Sequence, residues 1–150
     1  MKTAFLIFAF VIIGFFLFVR FAPSSPATWH VDPMTAKKGR KKNVFIQLPY
    51  TGKHRSPVFA MDAAALARSY DDLILSRNNV TKLAGDADAG FVTYVARSKM
   101  MRYPDYISIK FIDLGERRST IAVFSRARFG YSDRGVNRRR FLAWQKKITG

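Results

Sequence analysis

The feature that most constrains this chain lies at its start. Thr3 to Val19 is a run of seventeen residues with no charge and six phenylalanines, bounded by Lys2 and Arg20. A helix of that length is at the short end of what crosses a hydrocarbon core of about 30 Å, and Lys2 and Arg20 can snorkel to the two interfaces. The core helix of a soluble protein would carry a polar face, and none is visible here. A cleaved signal peptide is the competing reading, because Lys2 gives a positive start and Ser25-Pro26-Ala27 supplies small residues. Against it, the run exceeds the roughly 7–15 residues of a typical signal-peptide core and is closed by Arg20 before any small-residue site. Residues 1–21 are therefore expected to form a retained transmembrane signal anchor.

Charge is the second constraint. Lys and Arg number 26 against 10 Asp and Glu, a formal net charge of +16, which favours an anionic partner. The basic residues concentrate twice: seven without any acid between Pro33 and Met61, and ten against Asp133 alone from Arg117 to Lys147. Lys37, Lys38, Arg40, Lys41 and Lys42 follow the anchor and are the expected contacts for anionic lipid. With an anchor attached and no helix-turn-helix or aromatic-rich RNA motif, phospholipid or another envelope protein fits better than nucleic acid. The plain alternative is a solvated basic surface that aids solubility. Counting positive residues alone puts the rest of the chain in the cytoplasm, whereas the two-residue amino tail favours the opposite side. There is no cysteine, hence no lipobox attachment, thiolate zinc site or disulfide.

Residues 22–43, with Pro23, Ser24, Ser25, Pro26 and Pro33, read as a stiff basic juxtamembrane linker, and residues 44–150 as one domain. Val44 to Leu48 predicts a strand. Ser56-Pro57, followed by Ala63, Leu66, Ala67, Tyr70, Leu73 and Ile74 at three- and four-residue spacing, predicts an amphipathic helix over 57–76. Four strands follow, at 80–84, 91–98, 106–113 and 120–128, separated by turn residues. Ile107, Ile109 and Phe111 alternate with Ser108 and Lys110, while Ile121 and Val123 lie opposite Arg126 and Arg128, so one sheet face is apolar and the other basic. Ser132 or Asp133 can cap a last helix running to about Ile148. The order predicts an α+β fold: a transmembrane helix, then a mostly antiparallel sheet packed by two helices.

Chemistry-bearing motifs are sparse. The two histidines, His30 and His54, lack further ligands at metal spacing; His30 with Asp32 reads as a juxtamembrane turn carrying Trp29 rather than a metal or acid/base pair. There is no nucleophile elbow and no phosphate-cradling glycine loop, which argues against an enzyme of a motif-bearing class. No cofactor and no metal are expected.

The most distinctive stretch is Ser125-Arg126-Ala127-Arg128-Phe129-Gly130-Tyr131-Ser132-Asp133-Arg134-Gly135-Val136-Asn137-Arg138-Arg139-Arg140. It resembles the closing motif of the bacterial family known as domain of unknown function 1499. Leu83-Ala84-Gly85, Thr93 to Ser98 and Pro104 to Ser108 agree with that family, and the resemblance covers roughly residues 43–148. Arg20 to Pro23 and Trp29 to Pro33 look like its membrane-anchored members. Arg77-Asn78-Asn79-Val80 departs from the Pro-Arg-Thr turn of relatives. Many relatives are exported or lipid-anchored, which implies a periplasmic domain on a single-pass inner-membrane anchor; the resemblance implies no activity.

Two functional expectations result. The first is a non-enzymatic interaction module of the envelope with a basic surface. The second is an envelope enzyme or small-ligand carrier whose polar pocket gathers Arg97, Asp105, Arg126, Arg128, Asp133, Asn137 and Arg140. Those residues can equally brace the fold, Asp133 and Asn137 by capping and Arg126 and Arg140 by pairing with Asp105 or Asp133. Unpaired arginines around a pocket would favour the carrier, and a filled, paired lattice the module.

Overall fold

The structure, a computed structural model, describes residues 2–150; Met1, the first residue of the expected anchor, lies outside them. Helix α1 spans Lys2–Phe21, 20 residues and so about 30 Å long at the α-helical rise. It is long and apolar enough to cross a membrane. Its side chains are bare along nearly the whole length, Phe5 being 70% and Phe10 73% exposed. Only the last turn and the residue after it meet the rest of the protein: Val19 and Ala22 are buried, and the Phe18 ring packs edge-on against Phe129 with centroids 6.2 Å apart.

The remaining elements are a single turn of helix, α2 (Pro26–Trp29), then β1 (Val44–Gln47), α3 (Ala63–Leu75), β2 (Val80–Asp86), β3 (Phe91–Arg97), β4 (Pro104–Gly115), β5 (Arg118–Ala127) and α4 (Val136–Thr149). The five strands form one sheet in the order β1-β5-β4-β3-β2. Every neighbouring pair is antiparallel. The α+β fold expected from the alternation of periods is thus present.

Period-two alternation decides what each face carries. Phe45, Val92, Tyr94, Ile107, Ile109, Phe111, Ile121 and Val123 project to one side, where they meet Leu66, Tyr70 and Ile74 of α3 and Phe141 and Trp144 of α4. The Tyr70 and Phe141 rings stack there at 5.9 Å and 7°, joining the two helices. Burial raises the Tyr70 hydroxyl well above the ordinary tyrosine range.

Two expectations about chain layout are corrected. The helix expected over 57–76 begins only at Ala63, behind Asp62. Ser56-Pro57 has the composition of a helix start, but Phe59 instead exchanges both main-chain hydrogen bonds with Ser119, at 2.8 and 3.0 Å, and Pro57 accepts from the Thr120 hydroxyl. These bonds keep residues 57–59 extended beside β5. Residues 22–35, part of the stretch 22–43 read as a stiff linker, lie across the second face of the sheet, the one expected to be basic. That face carries Thr93, Tyr106, Ser108, Ala122 and Phe124, all buried. Farther on, the Asn43 side chain is buried and donates to the carbonyls of Ala127 and Gly130 at 3.1 and 2.7 Å.

Candidate functional site

Trp29 is the centre of the covered face. Its indole stacks on the Tyr106 ring at 3.8 Å and 11°, while the Arg126 guanidinium lies 4.8 Å from its centroid. Arg126 also sits 4.4 Å from the Phe124 ring and donates to the carbonyls of Thr28 and Trp29 at 3.2 and 3.4 Å. Burial among rings lowers the Arg126 pKa, opposed by Tyr106. Next to it the Tyr106 hydroxyl shares a hydrogen bond of 2.8 Å with Ser24 and accepts from Arg128 at 3.4 Å. Arg128 donates to the Pro23 carbonyl at 2.6 Å. One strand along, the Arg97 guanidinium donates to the carbonyls of Arg20, Ala22 and Arg102. Three arginines of β3 and β5 and the residue after β5 thus spend their donors on main-chain oxygens of the segment leaving α1. Arg97 supplies a cation to carbonyls at a helix C-terminus, where positive charge is favoured.

Further along the same face, His30 stacks on Phe91 at 4.0 Å, and its Nδ1 is 2.8 Å from the Thr93 hydroxyl, which meets the Ser108 hydroxyl at 2.8 Å. Asp32 pairs with Lys110 at 2.5 Å and accepts from the Met34 amide. Burial works against the Asp32 carboxylate, yet Lys110 and the Met34 amide hold its pKa below the ordinary range. Among the described residues, no group of three or more His, Asp or Glu side chains could hold a metal ion.

The other sequence-selected residues lie on the helix-covered side. Asp105 and Arg140 form an ion pair at 2.6 Å, their side chains 13% and 19% exposed. Burial raises the Asp105 pKa, Arg140 opposes this, and Asp133 adds to the rise. Asp133 precedes α4 and accepts from the Gly135 amide at 2.9 Å, the Asn137 amide at 2.8 Å and the Asn137 side-chain amide at 2.7 Å. Burial disfavours its charge, but these donors outweigh that and lower its pKa. The buried Asn137 amide oxygen in turn accepts from the Ser125 hydroxyl at 2.5 Å, tying α4 to β5. Gly135 holds the N-cap position of α4 with φ 78°, a backbone region that favours glycine, and Asp133 reaches past it to the amides of the first turn.

The seven residues therefore divide between two faces: Arg97, Arg126 and Arg128 bind the exit segment, and Asp105, Asp133, Asn137 and Arg140 lock α4. Lys37, Lys38, Arg40, Lys41 and Lys42 are all exposed. Lys38 and Lys42 border a cavity of about 250 Å³ that is also lined by Phe45, Lys53, His54, Asp133 and Arg138. Burial, then Arg138, Lys53 and Lys38, lower the His54 pKa.

Trp29 and Tyr106 were not selected by sequence reasoning, although together they organise the covered face. Their signal was available in the alternate positions of β3 and β4, where Thr93, Tyr106 and Ser108 are too little charged for an open sheet face.

A family model described as a protein of unknown function (DUF1499) matches residues 24–148. The match starts well before residue 43 and so includes the segment on the second face. No curated protein and no solved structure matches the chain.

Proposed function

The chain belongs to the DUF1499 family, and we propose that it is a single-pass, non-enzymatic interaction module of the bacterial envelope, anchored in the inner membrane by α1. In this reading residues 1–21 are the anchor, 22–43 the juxtamembrane segment and 44–150 the domain. The domain lies in the periplasm and presents its basic surface to anionic lipid or to another envelope protein.

One observation carries the reading: each of the four arginines expected in a ligand pocket bonds to a carbonyl or carboxylate of the chain itself, although Arg126 Nε and Arg140 Nη1 are buried without a partner among the described residues. Arg97, Arg126 and Arg128 bond to main-chain carbonyls of residues 20–29. Arg140 is paired with Asp105. This paired lattice supports a module in which the anchor and sheet are one mechanical unit. The basic cluster also enters the sheet at the anchor end, for the Lys42 amide donates to Tyr131, two residues beyond Phe129, the ring that meets Phe18.

The test is full-length protein in membranes washed with high salt and carbonate, followed by protease added to spheroplasts. Retention in the pellet with digestion of the domain is expected. Release by carbonate removes the anchor, and protection until the membrane is broken reverses the side.

A further inference from the structure

The hairpin tip between β3 and β4, residues 98–103, reads Ser-Lys-Met-Met-Arg-Tyr, and Met100 at its apex is 87% exposed. Turns are most often built from glycine, proline, asparagine, aspartate or serine. Here two methionines stand between Lys99 and Arg102, the combination of apolar contact and flanking cations that settles at a bilayer interface. The tip's position gives the pattern its meaning. One nitrogen of Arg97 donates both to the Arg20 carbonyl at 3.2 Å and to the Arg102 carbonyl at 3.1 Å, so the tip and the end of α1 are on the order of 6 Å apart. Tyr103 packs on Phe129 at 5.9 Å, and Phe129 on Phe18, which extends an aromatic contact from the tip into the apolar helix.

Charge around the tip has one sign. A cavity of about 450 Å³ between α1 and the sheet is walled by Arg20, Arg97 and Arg102 together with Lys82, which is held by Asp71. Another of about 430 Å³ on the other side of the tip is walled by Arg77, Lys99 and Arg102. No acidic residue lines either cavity. We propose that residues 98–103 are a second membrane contact, with Met100 and Met101 seated in the headgroup layer of an anionic bilayer beside α1 and Lys99 and Arg102 against lipid phosphates. The inference rests on α1 being an anchor: Arg20 then marks the interface, and Arg97 fixes the tip at the same level.

The chain has no cysteine, so Met100→Cys and Val58→Cys each supply a single thiol for an environment-sensitive fluorophore. Val58 adjoins the β5 start, the end of the sheet away from the anchor. Full-length labelled protein is reconstituted in phosphatidylcholine vesicles with and without phosphatidylglycerol, and quenched by acrylamide present on both sides. The expected result is a blue-shifted label at 100, quenched several-fold less than the label at 58, in anionic vesicles only. Adding Lys99→Glu should return the quenching at 100 towards that at 58. Equal quenching at both positions, or protection that is the same without anionic lipid, overturns the proposal even if the protein withstands carbonate. Extraction by carbonate defeats the anchor reading itself, a result distinguishable from the first.

Discussion

The Arg97 guanidinium lies against the last turn of α1, donating to the Arg20 carbonyl at 3.2 Å and, through its other terminal nitrogen, to the Ala22 carbonyl at 3.5 Å. The last carbonyls of a helix have no partner within it, and a cation there satisfies both their lone pairs and the negative end of the helix dipole. The apolar helix is thereby fixed to the sheet rather than tethered by a free linker.

Arg97→Ala should therefore cost about 1 kcal/mol, the scale of one charge-assisted contact at a partly exposed helix end. Its sharper effect is local. Chymotryptic cleavage after Phe21, followed by gel electrophoresis in detergent micelles, is expected to quicken several-fold. Arg97→Lys should recover only part of the protection, since an ammonium cannot span the same carbonyls as a planar guanidinium.

Trp29 holds the exit segment at its other end. Trp29→Ala removes an indole stacked between Tyr106 and Arg126. The expected loss in a thermal melt is about 2 kcal/mol, below the usual 3–5 for a fully buried Trp because the site is half open. Trp29→Phe should restore most of it. If residues 22–35 were a solvated linker, neither change would move the melting temperature.

What was legible in the sequence divides along the two sheet faces. Ile107, Ile109 and Phe111 show their burial by alternation, and the core side and the α+β order follow from that local pattern. The cover of the second, basic face is not legible because it is remote: Trp29 and Tyr106 are 77 positions apart, and nothing periodic links a proline-rich exit to a strand. The α3 start failed for a related reason. Ser56-Pro57 satisfies the local rule for a helix start, but pairing of Phe59 with Ser119 overrides it. Of the seven polar residues, Asp133 could be recognised as a cap from its neighbours. The division of the set between opposite faces depended on strand register.

Gly85 tests the close packing of His30. It has φ 79°, and an added Cβ would overlap the Phe91 carbonyl and stand 2.9 Å from His30 Cε1. Gly85→Ala should destabilise by about 2–4 kcal/mol through combined backbone strain and displacement of the His30 ring. Gly39→Ala, where nothing lies within 4 Å, should be neutral. Urea unfolding of the two variants in detergent measures the difference.

Asp133 supplies the acid-sensitive element of the fold. Its carboxylate is buried at a cost, but three donors from Gly135 and Asn137 hold its folded pKa below the ordinary value. A carboxyl with a lowered folded pKa contributes stability that is fully present above its unfolded pKa of about 3.9 and is lost as pH falls through the folded value. Asp32, also lowered, acts in the same window through Lys110 and the Met34 amide. Asp105 has the opposite sign: its raised pKa means that ionisation on going from acid to neutral pH weakens the fold, partly offsetting the other two. Thermal melts between acid and neutral pH should therefore rise with pH over the range below about 4, and less steeply in Asp133→Asn. At neutral pH, Asp133→Ala is expected to cost about 1–2 kcal/mol, the upper part of the range for a lost cap, because Asn137 also loses a partner. Asn137→Ala should cost a similar amount by freeing both Asp133 and Ser125. Since Asp133 and Asn137 share hydrogen bonds, the double variant should lose less than the two single losses added together, and strict additivity in the melts would dissolve the coupling inferred between Asp133 and Asn137.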